Sequence, residues 1–304
     1  MHHAVTPDES WMRRALEQAR RGIGRTSPNP PVGAVVVRDG RELGSGWHRA
    51  AGQPHAEREA IADARSRHPD AALRGATIYV TLEPCSTTGR TPPCTAGIVE
   101  AGIGRVVYAA TDPNPAHAGR ADEVLGAHGI EVSRGVLGDE ARRLIRPFAK
   151  VQRAGLPWVL LKSAMSLDGR LTRPPGEDMW LTGPASRAKV QRLRSEVDAI
   201  VTSGETVRRD LPRLDLRDAA LLEGRRQPWR IVMSERPDSL PAEAPLFTDG
   251  HADRTRVLPR QDPASVLRQL VTELGVCSVM LECGGRLAGA FLDAGLIDEF
   301  ACFM

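Results

Sequence analysis

The sequence predicts an α/β protein of two domains, each with a central sheet and helices packed on it. Apolar, β-branched runs such as 76–82 and 276–281 alternate with amphipathic helical patterns along the chain. The chain has 304 residues, enough for two ordinary domains, and 41% of them are hydrophobic, near the average of globular proteins. A helical pattern is interrupted at Pro147, near the middle of the chain. We therefore expect a first domain over 1–145 and a second over 156–304.

Composition argues against several classes of function. The net charge of +3 balances 41 basic against 38 acidic residues, and only 4% of residues are aromatic, so no nucleic-acid surface is indicated. No apolar segment approaches the length of a membrane span, and the N-terminus lacks the apolar core of a signal peptide. Cysteines number five, and two of them are candidate metal ligands, which is typical of a reducing compartment. We expect a cytoplasmic protein that binds neither nucleic acid nor a membrane.

The first half opens with a helix, because Thr6 can cap it and Pro7 suits its first position. Asp39-Gly40 between two apolar runs predicts a hairpin. The predicted elements are, in order, a helix from Pro7 towards Gly22, strands 34–37 and 43–47, a helix 55–64, a strand 76–82, a helix 95–101, a strand 106–110, a helix 121–128 and a strand 130–132.

The second half continues the alternation of strands and helices. Its predicted elements are, in order, an interrupted helix 137–151, a strand 158–162, a helix 185–194, a strand 198–202, a turn at 204–207, a strand 230–233, long loops over 234–262, a helix 264–274, a strand 276–281, a helix ending at 294 and a strand at 298–304. The glycine turn at Gly284-Gly285, between a strand and a helix, is a phosphate-binding geometry.

One imidazole and two thiolates in the first half form a candidate zinc site. His55, Cys85 and Cys94 supply three ligands, which leaves the fourth tetrahedral position open, as in catalytic rather than structural zinc sites. Glu57 follows the histidine by two residues and can carry the proton of a zinc-activated water to a leaving amine. The pattern H-x-E followed by P-C is that of hydrolytic deaminases of amino-heterocycles. Here eight residues, 86–93, separate the two cysteines.

Four segments of the first half resemble the deaminase domain of the bifunctional riboflavin-biosynthesis deaminase/reductase family. They are Asn29-Pro30-x-Val32-Gly33, His55-Ala56-Glu57, Glu83-Pro84-Cys85-Ser86-x-x-Gly89-Arg90-Thr91-Pro92-Pro93-Cys94 and Asp112-Pro113-Asn114-Pro115. The resemblance implies a cytidine-deaminase-like three-layer α/β/α domain with bound Zn2+. It also implies a phosphorylated substrate, a diaminopyrimidine with a phosphoribosylamino group. Its contacts would be Asn29, Arg90, Asp112 and Asn114, where Arg90 suits a phosphate and the Asn29 amide would face a polar edge of the ring.

The second half resembles the reductase domain of the same family. The resemblance lies in Lys162-x-Ala164-x-Ser166-Leu167-Asp168-Gly169-Arg170, Trp180-Leu181-Thr182, Thr206-Val207-x-x-Asp210 and Glu282-x-Gly284-Gly285-x-Leu287-Ala288. It implies a dihydrofolate-reductase-like α/β domain that uses NADPH to reduce the ribose to a ribityl chain. The implied cofactor contacts are Ala164, Trp180, Thr206, Asp210, Ser234, Gly284, Gly285, Arg286, Leu287, Ala288, Gly289 and Ala290. The implied substrate contacts are Asp178, Arg194, Leu214, Arg217 and Glu282.

Three alternatives to this bifunctional enzyme remain at the level of sequence. The second domain could be a weak or non-catalytic partner of a monofunctional deaminase, because Leu211 replaces an Asp of the family. A paralogue acting on another pyrimidine is left open by Thr87, at a position where the family has His, and by Asp178, where it has Ser. A zinc-stabilised binding protein without catalysis is disfavoured, because structural zinc normally takes four protein ligands. The resemblance further predicts a homo-oligomer, a dimer or larger, and a reductase domain that is incomplete at its C-terminus.

Overall fold

The computed structural model describes residues 5–69, 73–87, 92–115, 117–172 and 181–304. Its internal contacts divide the chain into two compact units, Met1–Arg153 and Ala154–Met304, here called the first and second units. In the described part of the chain, no helix is both long and apolar enough to cross a membrane.

The first unit alternates strands and helices largely as the sequence predicts. Its helices are α1 (Pro7–Arg20), α2 (Ala56–Arg67), α3 (Cys94–Glu100), α4 (Arg120–Ala127), α5 (Gly138–Leu144) and α6 (Arg146–Ala154), the last of which crosses into the second unit. Its strands are β1 (Gly33–Arg38), β2 (Arg41–Trp47), β3 (Thr77–Leu82), β4 (Arg105–Ala110) and β5 (Glu131–Arg134). A capping box joins Thr6 and Glu9 at the start of α1, which confirms the predicted helix start.

The strands form one sheet in the order β2-β1-β3-β4-β5, and helices cover both of its faces. The first two strands are the antiparallel hairpin predicted at Asp39-Gly40, and β3, β4 and β5 run parallel to one another. A Cβ at Gly33 would lie 2.1 Å from the Ala15 carbonyl oxygen of α1, whereas one at Gly44 would lie 2.3 Å from the Ala64 nitrogen of α2. The register places these glycines on opposite faces of the hairpin, so α1 and α2 sandwich the sheet.

The second unit is also α/β. Its strands are β6 (Trp158–Ala164), β7 (Ala199–Ser203), β8 (Trp229–Ser234), β9 (Thr255–Pro259), β10 (Ser278–Leu281) and β11 (Glu299–Phe303). Its helices are α7 (Pro184–Ser195), α8 (Gly204–Asp210), α9 (Ala219–Leu222), α10 (Pro245–Thr248), α11 (Pro263–Leu274) and α12 (Gly285–Asp293).

The strands of the second unit form a sheet in the order β11-β6-β10-β7-β8-β9, and every described pair is parallel. All carboxyl ends therefore lie at one edge, where ligands bind in open α/β sheets. The core below that edge includes fully buried Val201, Ile231, Val279 and Phe291.

Two predictions for local structure were wrong. The segment at Gly204 is the first turn of helix α8 rather than a turn, because the Ser203 hydroxyl accepts a hydrogen bond from the Thr206 amide and caps the helix. The stretch predicted as loops contains the edge strand β9. The interrupted helix predicted over 137–151 is confirmed as two helices, α5 and α6, with the break at Ile145, two residues before Pro147.

Candidate functional site

The three predicted zinc ligands meet at one edge of the first sheet. His55 is the extended residue that precedes α2, Cys85 follows β3, and Cys94 is the first residue of α3. The His55 Nδ1 atom lies 3.6 Å from the Cys85 Sγ and 3.3 Å from the Cys94 Sγ, and all three ligand atoms lie within 4.8 Å of one another.

This donor set fits zinc. With Zn–N and Zn–S bonds of typical length, a tetrahedral site separates the nitrogen from each sulfur by about 3.5 Å, which matches the spacing of His55 from Cys85 and Cys94. The site has three protein ligands. Among the described residues, no other cluster of His, Cys, Asp or Glu has the spacing of a metal site. Bound zinc supplies a Lewis acid that lowers the pKa of water.

The hydrogen bonds within the cluster favour a thiolate at Cys85 and a neutral thiol at Cys94. The hydrogen bond with Cys94 is the largest of the effects that lower the pKa of the Cys85 thiol to about 4, and the bond with His55 acts in the same direction. The same hydrogen bond between the thiols, together with burial, raises the pKa of Cys94. The hydrogen bond with Cys85 also raises the pKa of His55. The Cys94 amide donates to the Cys85 Sγ over 3.3 Å, so the start of α3 also supports the negative sulfur.

Glu57 lies in the first turn of α2, beside these ligands. It is only 4% exposed, and burial, aided by the negative charge of Cys85, raises the pKa of its carboxyl to about 7. A dication held by the ligands would lower that pKa. A buried carboxyl beside the metal ligands is placed to accept a proton from bound water and to return it.

Asp112 and Asn114 are brought to the same edge because β3 and β4 are parallel neighbours. The loops that follow the two strands are tied by Glu83, whose carboxylate accepts from the Asp112 amide over 3.1 Å and from the Ala121 amide over 3.2 Å. The Asp112 carboxylate in turn accepts from the Asn114 amide over 2.8 Å. Burial raises the pKa of Asp112.

His48 is a neighbour of the site that the sequence analysis missed. Its Nδ1 donates to the Pro54 carbonyl over 3.0 Å, which leaves Nε2 to accept from the Asn29 side-chain amide over 2.9 Å. This bond uses one of the two N–H groups of the Asn29 amide, so in the described contacts its oxygen and its second N–H are the groups left for a ligand. The His48 ring also packs edge-on against His55, at 5.2 Å between centroids. The sequence does carry one signal for His48: it is a polar residue directly after β2, the strand that precedes the first zinc ligand.

His117 is a second residue that the sequence analysis missed. Its Nδ1 lies 3.3 Å from the hydroxyl of Thr87, the residue that stands where the resembled family has His. Its backbone amide donates to the Asn114 carbonyl over 2.9 Å, so the turn after β4 delivers an imidazole to this position. Arg90 lies outside the described residues.

A cavity of about 1260 Å³ lies at the carboxyl edge of the second sheet. It is larger than the usual range for one small ligand, as a dinucleotide and a second substrate together would require. Twelve of the predicted contacts line it: Ala164, Thr206, Asp210, Ser234, Gly284, Gly285, Arg286 and Leu287 of the cofactor set, and Arg194, Leu214, Arg217 and Glu282 of the substrate set. Ala288, Gly289 and Ala290 lie within α12 and are not among the lining residues. Asp178 and Trp180 fall outside the described residues.

A buried ion pair forms the floor of the cavity. The Arg194 guanidinium binds both carboxylate oxygens of Glu282, at 2.7 Å from Nε and 3.1 Å from Nη2. The Lys162 ammonium adds a contact of 3.7 Å. Burial alone would raise the pKa of Glu282, but the charge and hydrogen bonds of Arg194 hold it below the usual value. Glu282 is therefore an anion within the floor.

The residues at the start of α12 fit a phosphate of NADPH. Among the described residues outside the immediate chain neighbours, none lies within 4 Å of a Cβ built at Gly284, and at Gly285 the nearest atom is Leu171 Cδ1 at 3.7 Å. The glycines thus leave space for a ligand beside the first amides of α12, where an anion is favoured. The Arg208, Arg236 and Arg260 side chains, which line the same cavity, add positive charge.

Family models match both units. The model described as cytidine and deoxycytidylate deaminase zinc-binding region covers residues 5–110, and the RibD C-terminal domain model covers 157–304. Together with the two sheets, these matches confirm the fold classes expected for the two halves.

Curated and solved relatives match almost the whole chain. The riboflavin biosynthesis protein RibD of Escherichia coli K12 is 41% identical, over 98% of this chain and 87% of its own length. The protein of the same name from Mycobacterium tuberculosis is 39% identical, over 95% and 82%. A structure of Acinetobacter baumannii RibD superposes with a TM-score of 0.89 at 38% identity, covering 98% of this chain and 86% of that one. A deaminase/reductase from Thermotoga maritima superposes with a TM-score of 0.85 at 38% identity, covering 96% and 85%.

Proposed function

The chain belongs to the RibD family of riboflavin biosynthesis proteins, and we propose how its residues divide the work of a bifunctional deaminase and reductase. The first unit hydrolyses the bond between a ring carbon and its amino group in diaminohydroxyphosphoribosylaminopyrimidine, the substrate named for the Thermotoga maritima relative. The second unit reduces the resulting phosphoribosylaminouracil with NADPH. The observation that carries the proposal is the cluster of His55, Cys85 and Cys94 with a buried Glu57 beside it.

In the deaminase half, Glu57 is the proton carrier. Its carboxylate takes a proton from the attacking water and gives it to the amino nitrogen, so that water is added and ammonia leaves. The zinc ligands are His55, Cys85 and Cys94. We assign substrate contacts to four further residues: Asn29, Arg90, Asp112 and Asn114.

In the reductase half, bound NADPH supplies a hydride to C1 of the opened ribose. The start of α12, from Gly284 to Leu287, receives a phosphate of the cofactor, and Thr206, Asp210 and Ser234 line the wall beside it. Arg194 and Glu282 form the polar floor on which the ribose lies. Arg217 and Leu214 complete the side of the cavity that binds the substrate, and Ala164 is a further contact of the cofactor. Ala288, Gly289, Ala290, Trp180 and Asp178 remain predicted contacts.

The first experiment follows ammonia release and NADPH oxidation separately, on zinc-loaded protein with the phosphoribosylaminopyrimidine. We expect both signals, ammonia first. Ammonia alone would leave a monofunctional deaminase with a silent second unit. The absence of both would contradict the proposal and favour another pyrimidine as substrate.

We expect His117→Ala to weaken substrate binding by the deaminase half. The imidazole lies beside Thr87, which offers only a neutral hydroxyl, so its removal should raise the KM of deamination about tenfold with little change in kcat. Steady-state ammonia release measures both constants. His128→Ala is the matched control, because that imidazole is exposed and hydrogen-bonds only to its own helix, through the Val124 carbonyl at 2.8 Å. An unchanged KM for His117→Ala would remove this residue from the site.

The cellular location and the oligomeric state complete the proposal. None of the five cysteines is in a disulfide, which supports a reducing compartment, the cytoplasm. A homo-oligomer, a dimer or larger, remains a prediction from the family, and light scattering of the purified chain tests it.

A further inference from the structure

The segment 211–217 forms one wall of the cavity in the second unit and adopts an unusual backbone. Leu211 and Leu214 have φ angles of 43° and 52°, in the left-handed region that residues other than glycine rarely occupy. Such a conformation persists only where the surrounding structure fixes it.

Side chains from two other elements hold this wall. Arg230 of β8 donates to the Arg213 carbonyl over 3.1 Å and is itself fixed by a bidentate, buried pairing with Asp249. Arg194 of α7 donates to the Asp215 carbonyl over 3.1 Å. The backbone that carries Arg213 and Asp215 is therefore set by contacts outside the segment.

The Asp215 carboxylate lies between two arginines of the wall. Its side chain is 5% exposed, whereas those of Arg213 and Arg217 are each 51% exposed. The Arg213 Nε lies 2.9 Å from one carboxylate oxygen, and the Arg217 Nε lies 3.6 Å from the other. Both contacts are made through Nε, and no described residue accepts a hydrogen bond from the Nη groups of either arginine, so these groups remain for an acceptor in the cavity.

Arg194 is engaged elsewhere. Three of its N–H groups bind Glu282 and the Asp215 carbonyl, and the residue is 8% exposed. The accessible guanidinium groups on this side of the cavity are consequently those of Arg213 and Arg217. Two such cations repel each other, and a buried carboxylate between them offsets that repulsion.

We propose that Asp215 is a positioning residue that presents Arg213 and Arg217 as a pair to the phosphate group of the reductase substrate. The proposal rests on the reductase function proposed above. It assigns the recognition of the phosphate to a clamp in which Arg213 and Arg217 share the anion and Arg194 serves as scaffold.

The test replaces Asp215 with Asn in the full-length, zinc-loaded protein. We expect the reductase KM for the phosphorylated, deaminated substrate to rise about tenfold with kcat within twofold. The KM for the same compound without its phosphate should not change, a split that a merely structural defect would not produce. An added Asp215→Asn should cause no further loss in a chain that already carries Arg213→Gln and Arg217→Gln.

A direct binding measurement separates this proposal from the reductase function. Calorimetry with ribose 5-phosphate, and with ribose as the uncharged control, should give about tenfold weaker binding of the phosphate by Asp215→Asn, even if the chain oxidised no NADPH. Glu42→Gln is the matched control, because the carboxylate of Glu42 also contacts two arginines, Arg14 and Arg67, at 3.5 and 3.7 Å, but belongs to the first unit. If Asp215→Asn does not fold, Arg213→Gln and Arg217→Gln carry the same test. Unchanged phosphate binding, or equal losses with and without the phosphate, would overturn the proposal.

Discussion

Glu57→Gln should reduce ammonia release about 10³-fold and leave the zinc content of the chain unchanged. The amide has the size of the carboxyl and fills the same buried position in the first turn of α2, where Glu57 is 4% exposed. It cannot, however, take the proton of the attacking water or return it to the amino nitrogen. Single-turnover ammonia release and elemental analysis of zinc measure the two effects independently.

The matched control for Glu57 lies in the same turn. Glu59 is also an acidic residue at the start of α2, but its carboxylate pairs at the surface with Arg49 at 3.0 Å. Glu59→Gln should keep near-normal turnover, and both variants should still oxidise NADPH when supplied with deaminated substrate. Near-normal deamination by Glu57→Gln would remove this residue from the mechanism.

Arg194→Met should destabilise the second unit by about 3–5 kcal/mol, because it leaves the Glu282 carboxylate buried without its bidentate partner. Reduction of the substrate should be lost as well, since the floor of the cavity loses its fixed charge pair. Hydrogen exchange of the full-length protein, followed in peptides from β10 and α7, measures the loss of stability where it arises.

The pH dependence of this defect has a definite sign. In the wild-type protein the pKa of Glu282 is lowered, so the pair stabilises the fold above the usual pKa of a glutamate and loses that contribution as the pH falls through the lowered value. Without Arg194, burial instead raises the pKa of Glu282, and protonation relieves the cost. The stability deficit of Arg194→Met should therefore shrink as the pH falls from neutrality towards 5. A deficit independent of pH would contradict the role of the carboxylate.

A compensated variant separates charge from packing. Arg194→Met combined with Glu282→Leu should recover most of the lost stability, because a buried ion pair replaced by apolar side chains is often neutral. Reductase activity should remain absent, since Glu282 lines the cavity.

The metal centre could be predicted from sequence because each ligand lies beside a strong local signal. His55 precedes a helical pattern, Cys85 follows an apolar strand, and Cys94 opens a helix after two prolines. These signals place each ligand at the start of a helix or the end of a strand, and the ligands meet because α2, α3 and the end of β3 lie at one edge of the sheet. The proton carrier Glu57 is fixed by its distance along the chain from the first ligand.

The parts that could not be predicted depend on contacts between distant segments. Asp215 acquires its environment from two left-handed residues, Leu211 and Leu214, whose conformation no local pattern indicates. Strand β9 was missed because it is an edge strand whose side chains, such as Arg256, are largely exposed and lack an apolar alternation. His48 has no spacing rule relative to Asn29, which it orients from 19 positions away.

The carboxylate of Glu83 has a consequence for how the first unit can change over evolution or by design. In the described part of the loop after β4, its partners are two backbone amides, those of Asp112 and Ala121, and backbone amides are available whatever the side chain. The sequence between these two anchors can therefore be exchanged, so that the pocket accepts a different heterocycle while the zinc ligands keep their geometry. Chimaeras that import this loop from relatives, scored for zinc content and for substrate preference separately, would reveal whether the two properties are inherited independently.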